Sequence, residues 1–409
     1  MISPQDALRL VLEHAPALGP ETAALARCVG RILAADLRAR EALPPFDNSA
    51  MDGFAVRAHD LKNASRKTPI ELTLREHVRA GAPRPVRLRP GEAARIMTGA
   101  PLPLGADSVV MQELALPGAP GRVKIPHAPQ TGDHIRARGE DVAKGSLLLK
   151  KGTRLRPYEI ALLAAQGIET ISVVARPRVA VLASGDELVE ISANLSHGKI
   201  RNSNGPALIA ALSRWDIDAV DMGVAKDDPE ALRSALASAL DRADVVIVTG
   251  GVSVGDFDYT KSVLLSLGVH EIFWKVAIKP GKPLLFGTRE RPGSPRALVF
   301  GLPGNPLAAL VCLEEFVRPA LEKLQGSTPG HQSYHLWGRT LNDYPKPKDR
   351  QQYVFCQAAP GPDGYELTVI RPQGSAMLAM ASRANALALA PVGTAHVRRG
   401  TTLAFRWLK

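Results

Sequence analysis

The pattern of apolar and polar residues changes near residue 175. From Arg178 onward, short apolar runs alternate with amphipathic stretches of helical period. This alternation predicts strands at "RVAVLAS", "IDAVDMGVA", "DVVIVTGG" and "ALVFGLPGNP", and helices at "GPALIAALSRW", "DPEALRSALASALDRA", "DYTKSVLLSLG" and "PLAALVCLEEFVRPALEKL". Successive strand–helix units of this length favour parallel strands. Residues 176–326 are therefore predicted to form a three-layer α/β/α domain.

The regions before and after this domain have shorter apolar runs separated by proline and glycine. The segment "PVRLRPGEAARIMTGAPLPLGADSVVMQE" predicts strands joined by turns, which is typical of an irregular β-rich module. Helices predicted near residues 4–14 and at 157–167 flank this module, and we expect them to pack together as a separate layer. After Gly326, "SYHLWGRTL", "YELTVI" and "HVRRGTTLAFRWL" predict a small β-domain.

Composition and charge restrict the class of protein. The 409 residues are 45% hydrophobic and 22% charged, which predicts a globular protein of more than one domain. The net charge of +11 favours an anionic partner, and residues 328–409 contribute ten Lys/Arg against four Asp/Glu. This tail lacks the interleaved aromatic and glycine residues of a single-strand reader, so no nucleic-acid partner is expected.

Cysteine spacing and hydropathy predict a soluble cytoplasmic protein. Cys28, Cys312 and Cys356 lie far apart, without the spacing of a disulfide framework or a zinc site. The first residues, in which Ser3 and Asp6 form a capping-box-like pair, do not resemble a signal peptide. No apolar run approaches the ~18 residues that a membrane-spanning helix needs, so no membrane association is expected.

Polar and glycine residues follow three predicted strands, at the positions where doubly wound sheets bind ligands. These residues are Ser184, Gly185, Asp186, Glu187, Thr249, Gly250, Gly251, Ser253, Gly301, Pro303, Gly304, Asn305 and Pro306. Glycine-rich loops that open onto helix N-termini favour an anion, although each loop alone could be an ordinary turn. Because they match neither the Walker A motif nor the dinucleotide fingerprint, we do not expect the binding mode of a familiar NTPase or dehydrogenase.

Lysines and carboxylates of the same region indicate a polyanionic ligand. "WKVAIKPGKPLLFG" contains Lys275, Lys279 and Lys282, and we expect the first two on one side of an extended segment. A solvated edge strand is one interpretation. A positive cluster facing phosphate or an oxyanion is favoured, because unpaired lysines are costly to bury. The carboxylates suited to Mg²⁺ are Asp141, Asp186, Glu187, Asp227, Asp228 and Asp258, although any one could cap a helix and Asp228 is best placed to do so.

Eight segments, in order from residue 46 to about residue 391, resemble the MoeA family of molybdopterin molybdenumtransferases, to which the E domain of gephyrin is related. They are "FDNSAMDGFAV", "RIMTGAPLPLGADSVVMQE", "RGEDVAKG", "ASGDEL", "DVVIVTGGVSVGDFDYTK", "WKVAIKPGKPLLFG", "FGLPGNPLAALV" and "QGSAMLAMASRANALALAP". The resemblance implies a homodimer of four-domain chains. The domains are an interrupted N-terminal domain (1–50 and 138–175), an inserted β-rich domain (51–137), a molybdopterin-binding MogA-like α/β/α domain (176–326) and a C-terminal β-barrel (327–409). It also implies insertion of molybdate into adenylylated molybdopterin, with Mg²⁺-dependent release of AMP.

The resemblance, taken motif by motif, also implies the site residues. The catalytic residues would be Asp52, Thr98, Asp141, Glu187, Asp258, Lys275 and Lys279. The substrate-binding residues would be Ser184, Gly250, Gly251, Ser253, Lys282, Pro303, Gly304, Asn305, Pro306, Arg350 and Ser375. The Mg²⁺ ligands would come from Asp186, Glu187, Asp227, Asp228 and Asp258. Asp47, Asn48 and Ser49 would shape their own loop, while Asp52 would project toward the α/β domain of the partner subunit.

Four residues depart from the family pattern, and three alternative functions stay open. Ser184, Asn202, Phe355 and Ala376 stand where relatives commonly have threonine, aspartate, a second arginine, and glycine or a polar residue. The alternatives are adenylyl transfer to molybdopterin, insertion of tungstate, and a scaffold role. The "FDNSAMDG" module, which MogA-type adenylyltransferases lack, favours molybdate insertion. A MogA-type adenylyltransferase and downstream molybdenum-cofactor proteins would then be its partners.

Overall fold

The computed structural model describes residues 1–82, 87–251, 259–328 and 334–408, and the chain divides into two compact units. Unit 1 contains Met1–Thr22 and Ser172–Lys409, and unit 2 contains Ala23–Ile171. Among the described residues, no helix combines the length and apolar character that crossing a bilayer requires.

The helices and strands are numbered in chain order. The α-helices are α1 (Pro4–Glu13), α2 (Pro157–Ala165), α3 (Asn204–Arg214), α4 (Pro229–Arg242), α5 (Tyr259–Ser266), α6 (Pro306–Cys312), α7 (Arg318–Leu324) and α8 (Leu378–Ala381). A π-turn (Leu313–Val317) joins α6 to α7, and short 3₁₀ segments lie at Leu25–Arg27, Ala58–Leu61 and Gln112–Leu114. The strands are β1 (Pro20–Ala24), β2 (Leu37–Arg38), β3 (Asn48–Ser49), β4 (Gly53–Val56), β5 (Ile70–Val78), β6 (Glu92–Ile96), β7 (Ser108–Met111), β8 (Leu116–Pro117), β9 (Arg122–Ile125), β10 (Ile135–Arg136), β11 (Leu147–Leu149), β12 (Thr170–Val174), β13 (Val179–Ser184), β14 (Leu188–Val189), β15 (Ile200–Arg201), β16 (Ala219–Ala225), β17 (Val245–Thr249), β18 (His270–Trp274), β19 (Ile278–Lys279), β20 (Leu285–Arg291), β21 (Ser294–Leu302), β22 (Leu336–Thr340), β23 (Tyr344–Pro345), β24 (Gln351–Gly361), β25 (Gly364–Val369), β26 (Ala386–Ala390), β27 (His396–Val397) and β28 (Thr402–Trp407).

The central sheet of unit 1 has the strand order β16-β13-β17-β21-β20-β18. The four strands predicted from the sequence, β16, β13, β17 and β21, are parallel, as expected. The sheet also contains β20 and β18, which form antiparallel pairs at one edge. The sequence pattern did not predict these two strands. Arg291 pairs with Ser294 in a hairpin far too short to hold a crossover helix, so β20 and β21 must be antiparallel.

Helices cover both faces of this sheet, which confirms the three-layer prediction. Val181 of β13 packs in one core cluster with Leu208 of α3, whereas its neighbour Leu182 packs in another with Leu236 of α4. This alternation follows from the two-residue period of side chains along a strand. A strand buried on both faces needs apolar residues at every position, as the continuous run in β13 has.

Helix α1 packs on the core of the α/β sheet. Ser3 Oγ accepts a hydrogen bond from Asp6 N at 3.0 Å, as the capping pattern predicted. Ala7 and Val11 are fully buried in the same cluster as Leu324 of α7. The expectation that α1 packs with α2 is therefore wrong: this core takes up the apolar face of α1, and α2 belongs to unit 2. The four-domain boundaries stay a prediction.

A five-stranded barrel forms the end of unit 1, in agreement with the predicted small β-domain. Its strand order is β24-β25-β22-β28-β26, and β26 pairs back with β24 to close it. Val354, Leu367 and Phe405 are buried in its core. The short strand β19 adds to β24 in parallel, with Lys279 opposite Gln352. This pairing attaches a lysine-bearing segment of the α/β domain to the barrel.

Unit 2 contains the predicted β-rich module. Its main sheet has the order β7-β4-β6-β5-β9-β8. Strand β4 begins at Gly53, where an added Cβ would lie 2.0 Å from Val110 O. Only glycine allows β4 and β7 to approach this closely, which accounts for the glycine that ends "FDNSAMDG".

Candidate functional site

A cavity of about 580 Å³ lies at the carboxyl ends of β13, β17 and β21. This is the position expected for a ligand in a doubly wound sheet. The predicted residues that line it are Ser184, Gly185, Glu187, Asp227, Thr249, Gly250, Gly251, Pro303, Gly304, Asn305 and Pro306. We call it the strand-end cavity. Ser253 and Asp258, also predicted for the site, lie outside the described residues.

Hydrogen bonds between the loops that follow β13 and β16 orient the carboxylate of Asp227. Ser184 Oγ donates to Asp227 Oδ1 at 2.6 Å, and Asp186 N donates to Asp227 Oδ2 at 3.3 Å. In return, Asp227 N donates to Asp186 Oδ1 at 3.2 Å. The Ser184 hydroxyl thus has a defined structural role at Asp227.

The neighbouring Asp228 has a different role from Asp227. Its Oδ1 accepts hydrogen bonds from Glu230 N at 3.1 Å and from Ala231 N at 2.9 Å. This is the geometry of an N-cap, and it agrees with the sequence-based expectation for α4. Of the two adjacent aspartates, Asp227 is therefore the one that lines the strand-end cavity.

Glycines allow the strand-end loops to pack closely. Gly250 has φ +90°, and an added Cβ would lie 2.1 Å from Ser184 O. Gly251 has φ +61°, and an added Cβ would lie 2.2 Å from Thr260 Oγ1. Both positions require glycine for conformation as well as for space.

Two asparagines complete the wall of the strand-end cavity near α3. Asn202 Oδ1 accepts from Gly205 N at 3.0 Å, so Asn202 stabilises the start of this helix. Asn204, which was not predicted, donates from Nδ2 to Gly304 O at 2.8 Å and is largely buried. The polar run "NSN" before an amphipathic helix was the available signal for it.

A second, smaller cavity of about 230 Å³ carries the predicted cations. Lys279, Lys282, Arg350 and Ser375 line it, and it shares Pro283, Pro303 and Asn305 with the strand-end cavity. We call it the cationic cavity. Phe355 also lines it and contributes an aromatic ring.

The residues of the cationic cavity come from distant parts of the chain. Lys279 is held opposite Gln352 by the β19–β24 pairing, and Arg350 immediately precedes β24. Ser375 O accepts from Leu307 N at 3.0 Å, at the start of α6. Arg350 Nε lies 3.5 Å from Asp349 Oδ2, a long ion pair without hydrogen-bond geometry. These pairings bring three cations within one small space.

Tyr353 is an unpredicted member of the cationic cavity. Burial raises its pKa well above the ordinary range, and the nearby carboxylate of Glu315 acts in the same direction. Its hydroxyl accepts from Gln351 Nε2 at 3.3 Å. The phenol therefore stays protonated and contributes no negative charge to a site for anions.

The prediction that Lys275 and Lys279 point to the same side of an extended segment is wrong. Strand β18 ends at Trp274, and Lys275 has φ +72°, which interrupts the extended conformation. Lys275 Nζ lies 3.7 Å from the centroid of the Trp274 ring. In the described part of the chain, Lys275 lines neither the cationic nor the strand-end cavity, whereas Lys279 lines the former.

Asp52 and Thr98, both of unit 2, form a compact pair. Asp52 Oδ1 accepts from Thr98 N at 2.7 Å and from Thr98 Oγ1 at 2.7 Å. The hydrogen bonds from the Thr98 backbone and side chain lower the pKa of Asp52, and Arg95 adds to this effect. Asp52 is thus an exposed carboxylate that is held ionised and in one orientation. Asp141, also in unit 2, is exposed.

The other polar residues of the Asp52 loop hydrogen-bond to backbone. Asn48 and Ser49 bond within their own loop, as predicted, whereas Asp47 bonds to a distant segment at Arg138. Asp47 Oδ1 accepts from Arg138 N at 2.7 Å. Asn48 Nδ2 donates to Phe46 O at 3.3 Å, and Ser49 Oγ donates to Met51 O at 2.5 Å. These bonds fix the loop shape, which explains why one loop carries so many polar groups.

Carboxylates suited to Mg²⁺ lie at the strand-end cavity, but the described part of the chain shows no complete ligand set for the ion. Over residues 1–82, 87–251, 259–328 and 334–408, no group of three or more His, Cys, Asp or Glu residues could hold a metal ion. Glu187 and Asp227 line the cavity, while Asp186 meets the backbone of Asp227.

Comparison with known proteins agrees with this arrangement. The chain matches the MoeA N-terminal region (domains I and II) over residues 2–167, a probable molybdopterin-binding domain over 180–323 and the MoeA C-terminal region (domain IV) over 338–406. It is 37% identical over 372 residues to the molybdopterin molybdenumtransferase of Nostoc sp., which covers 91% of this chain and 85% of the relative. The Bacillus subtilis protein of the same name is 36% identical over 402 residues, or 97% and 92% of the two chains.

A solved structure extends the similarity to the whole chain. The crystal structure of the molybdopterin biosynthesis MoeA protein from Pyrococcus horikoshii OT3 is 30% identical, with a TM-score of 0.81 over 100% of both chains. Fold and strand-end cavity together define a multidomain protein with a molybdopterin-binding type of α/β domain. The chain belongs to the MoeA family. This confirms the family and the fold class predicted from the sequence, and the predicted enzyme class matches the names of these relatives.

Proposed function

We propose that this protein inserts molybdate into adenylylated molybdopterin and releases AMP in a Mg²⁺-dependent reaction. The observation that carries the proposal is the pair of adjoining cavities in unit 1. One cavity offers carboxylates, glycine loops and helix N-termini, and the other offers three cations. The name molybdopterin molybdenumtransferase, borne by relatives at 36–37% identity, supplies the substrates that two such cavities suit.

The cationic cavity is the proposed site for molybdate. A tetrahedral dianion requires positive charge and hydrogen-bond donors, which Lys279, Lys282, Arg350 and the Ser375 hydroxyl provide. The attraction between these groups and the anion is stronger the less water surrounds them, and Lys279, Arg350 and Ser375 are each partly buried. Because molybdate and tungstate are alike in size and charge, this site accommodates either oxyanion.

The strand-end cavity is the proposed site for the phosphate region of the adenylylated pterin. Gly250 and Gly251 let the loops that would face the phosphates pack closely, and the N-terminus of α6 favours negative charge there. The cavity of about 580 Å³ has the size of a typical small-molecule site. Because the two cavities share Pro303 and Asn305, substrates bound in them would lie side by side.

The donor set of the strand-end cavity fits Mg²⁺. This ion prefers hard oxygen ligands and usually takes one or two carboxylates together with substrate phosphates. Glu187 and Asp227 would hold it, and the hydrogen bonds from Ser184 and Asp186 orient the Asp227 carboxylate while leaving lone pairs for a metal. Bound there, Mg²⁺ would stabilise the charge that develops as the phosphoanhydride breaks. Asp186, Asp228 and Asp258 remain predicted ligands, with Asp228 also serving as the cap of α4.

The Asp52–Thr98 pair supports a homodimeric site. Hydrogen bonds from the Thr98 backbone and hydroxyl fix the orientation of the Asp52 carboxylate, which is exposed and therefore available to a second subunit. We propose that Asp52 and Thr98 act at the α/β domain of a partner subunit, with Asp141 of the same unit contributing polar contacts. The four-domain division, a cytoplasmic location and delivery of substrate by a MogA-type adenylyltransferase belong to the same proposal.

Turnover of purified AMP-molybdopterin with molybdate and Mg²⁺ tests the function. Lys279→Ala should raise KM for molybdate roughly tenfold or more, because a hydrogen bond to a charged group is lost. The exposed Lys62→Ala, which removes the same charge from unit 2, is the control and should match the wild type. Wild-type rates for both Lys279→Ala and Asp52→Ala would contradict the proposed site. Efficient formation of AMP-molybdopterin from molybdopterin and Mg-ATP would instead identify an adenylyltransferase.

A further inference from the structure

The segment between β25 and α8 carries Ser375 into the cationic cavity, and Gln373 fixes the path of this segment. Gln373 Nε2 donates to Phe355 O at 2.8 Å, and Gln373 Oε1 accepts from Phe355 N at 3.2 Å. The β24–β25 pairing reaches Cys356 and Val369, so Phe355 is the next residue along β24. A primary amide presents a donor and an acceptor as a peptide group does. Ile370 N also donates to Phe355 O, at 3.2 Å, so the ladder already continues one step past Val369. The side chain of Gln373 completes this step, because it supplies the acceptor for Phe355 N and a second donor to Phe355 O.

The same segment has a second anchor on the α/β domain. Leu307 N, in the first turn of α6, donates to Ser375 O at 3.0 Å. Backbone N–H groups in the first turn of a helix have no partner within the helix, so an outside acceptor is needed there. Gly374 lies between the two anchors. The backbone of Ser375 is thus held at one end by the barrel and at its own carbonyl by α6.

The barrel strand that Gln373 grips also positions the cations. Arg350 immediately precedes β24, and Gln352 of β24 pairs with Lys279. Gln373 itself lines the cationic cavity together with Phe355. Through its two hydrogen bonds, Gln373 holds the segment that carries Ser375 against β24. The same strand positions Lys279 and Arg350.

We propose that Gln373 is a positioning residue for oxyanion binding. Its amide, clamped to the backbone of Phe355, sets the distance of the Ser375 hydroxyl from Lys279 and Arg350. Gln373 acts through Ser375 and not through contact with the oxyanion. The identity of the anion rests on the proposed function, whereas the clamp does not.

Binding of sodium molybdate to the full-length protein, measured by titration calorimetry, tests this role. Gln373→Met keeps the length and volume of the side chain and removes both hydrogen bonds. We expect it to weaken molybdate binding about five- to tenfold, the effect of losing one or two hydrogen bonds. Gln357→Met is the matched control: this β24 residue also donates from its amide to a backbone carbonyl, that of Arg383, but on the exposed side of the strand. It should bind molybdate within about twofold of the wild type.

A double-mutant cycle separates positioning from a general structural effect. If Gln373 acts through Ser375, Gln373→Met should cost less than about twofold in a Ser375→Ala background. Equal losses in both backgrounds, or wild-type affinity of Gln373→Met, would overturn the proposal. If Gln373→Met folds poorly, Gln373→Asn replaces it in the test. The asparagine side chain is too short to reach both backbone groups of Phe355, so this variant should lose molybdate affinity in the same way. A wild-type protein that fails to bind molybdate would overturn the proposed function as well, whereas a binding wild type with an unaffected Gln373→Met overturns the role of Gln373 alone.

Discussion

Asp244 joins three strands at the edge of the α/β sheet opposite the strand-end cavity. It is 6% exposed and immediately precedes β17. Its carboxylate accepts from Arg178 Nη2 at 2.9 Å, at the start of β13, and from Arg291 Nη2 at 2.8 Å, at the end of β20. Arg178 N donates to it as well, at 2.9 Å. Replacing Asp244 by asparagine should therefore destabilise the sheet without touching the proposed substrate sites.

The size of the effect follows from the ionisation of this carboxyl. Burial opposes ionisation of Asp244, but the hydrogen bonds from Arg178 and Arg291 outweigh it and lower the pKa from 3.8 to about 2. A pKa difference of this size corresponds to about 2 kcal/mol of unfolding free energy. Since the pKa is lower in the folded state, the stabilisation is complete above the unfolded-state pKa and is lost as the pH falls through about 2. Asp244→Asn also leaves Arg291, itself 8% exposed, without its carboxylate, so the total loss at neutral pH should be about 3 kcal/mol.

Urea unfolding followed by tryptophan fluorescence is the assay. The four tryptophans, at 215, 274, 337 and 407, all belong to unit 1, so the signal reports this unit. Asp241→Asn is the control, because Asp241 pairs with Arg289 at 2.8 Å but is largely exposed and should lose less than about 1 kcal/mol. The difference in unfolding free energy between the wild type and Asp244→Asn should become smaller below about pH 3. The reasoning would be refuted if this difference in unfolding free energy were the same at pH 7 and at low pH. Equal urea midpoints for Asp244→Asn and Asp241→Asn would refute it as well.

The remaining predictions concern the loops. Gly250→Ala should lower unfolding free energy by roughly 3 kcal/mol, because its Cβ would collide with Ser184 O; an unchanged urea midpoint would contradict the close approach of these loops. Asp52→Ala and Asp47→Ala each take the acceptor from one backbone N–H, that of Thr98 and that of Arg138, so both should lower the melting temperature, measured by circular dichroism, by a similar amount. Asp52→Ala alone should lose molybdate insertion; equal insertion rates for the two variants would contradict the proposed role of Asp52.

Much of the α/β domain could be predicted from the sequence because its signals are local. Strand β13 is buried on both faces, and all its residues before Ser184 are apolar. Helix α4 has Asp228 as its N-cap and Pro229 at its first position, and both residues are start signals in the sequence. The edge strands β18 and β20 carried no comparable signal, because their pairing depends on a hairpin and on the backbone of Lys275 turning to φ +72°. The partner of α1 was also hidden, since periodicity shows which face is apolar but not what covers it.

The residues of the candidate site also fall into two groups: those that a local sequence pattern predicts and those that only the fold brings together. The strand-end loops are contiguous motifs, so their residues could be named from glycine content and position after a strand. Arg350 and Ser375 have no local signal of this kind. They join Lys279 only because β19 pairs with β24 and because Ser375 O meets α6, and the resemblance to a family was needed to name them. Gln373 was not predicted, because nothing in the sequence distinguishes a glutamine whose side chain bonds to a strand backbone from any other polar loop residue.

The placement of β19 has a thermodynamic consequence for the whole of unit 1. The cationic cavity takes Lys282 and Pro303 from the α/β domain, and Arg350 from the start of the barrel strand. An anion bound there contacts both walls, so binding and the attachment of the barrel are linked equilibria. At one hundred times its Kd, such a ligand adds about 2.7 kcal/mol to the stability of the state that binds it. Molybdate bound between the two walls should therefore stabilise the attachment of the barrel and raise its unfolding temperature. This effect requires no chemical step on the pterin substrate.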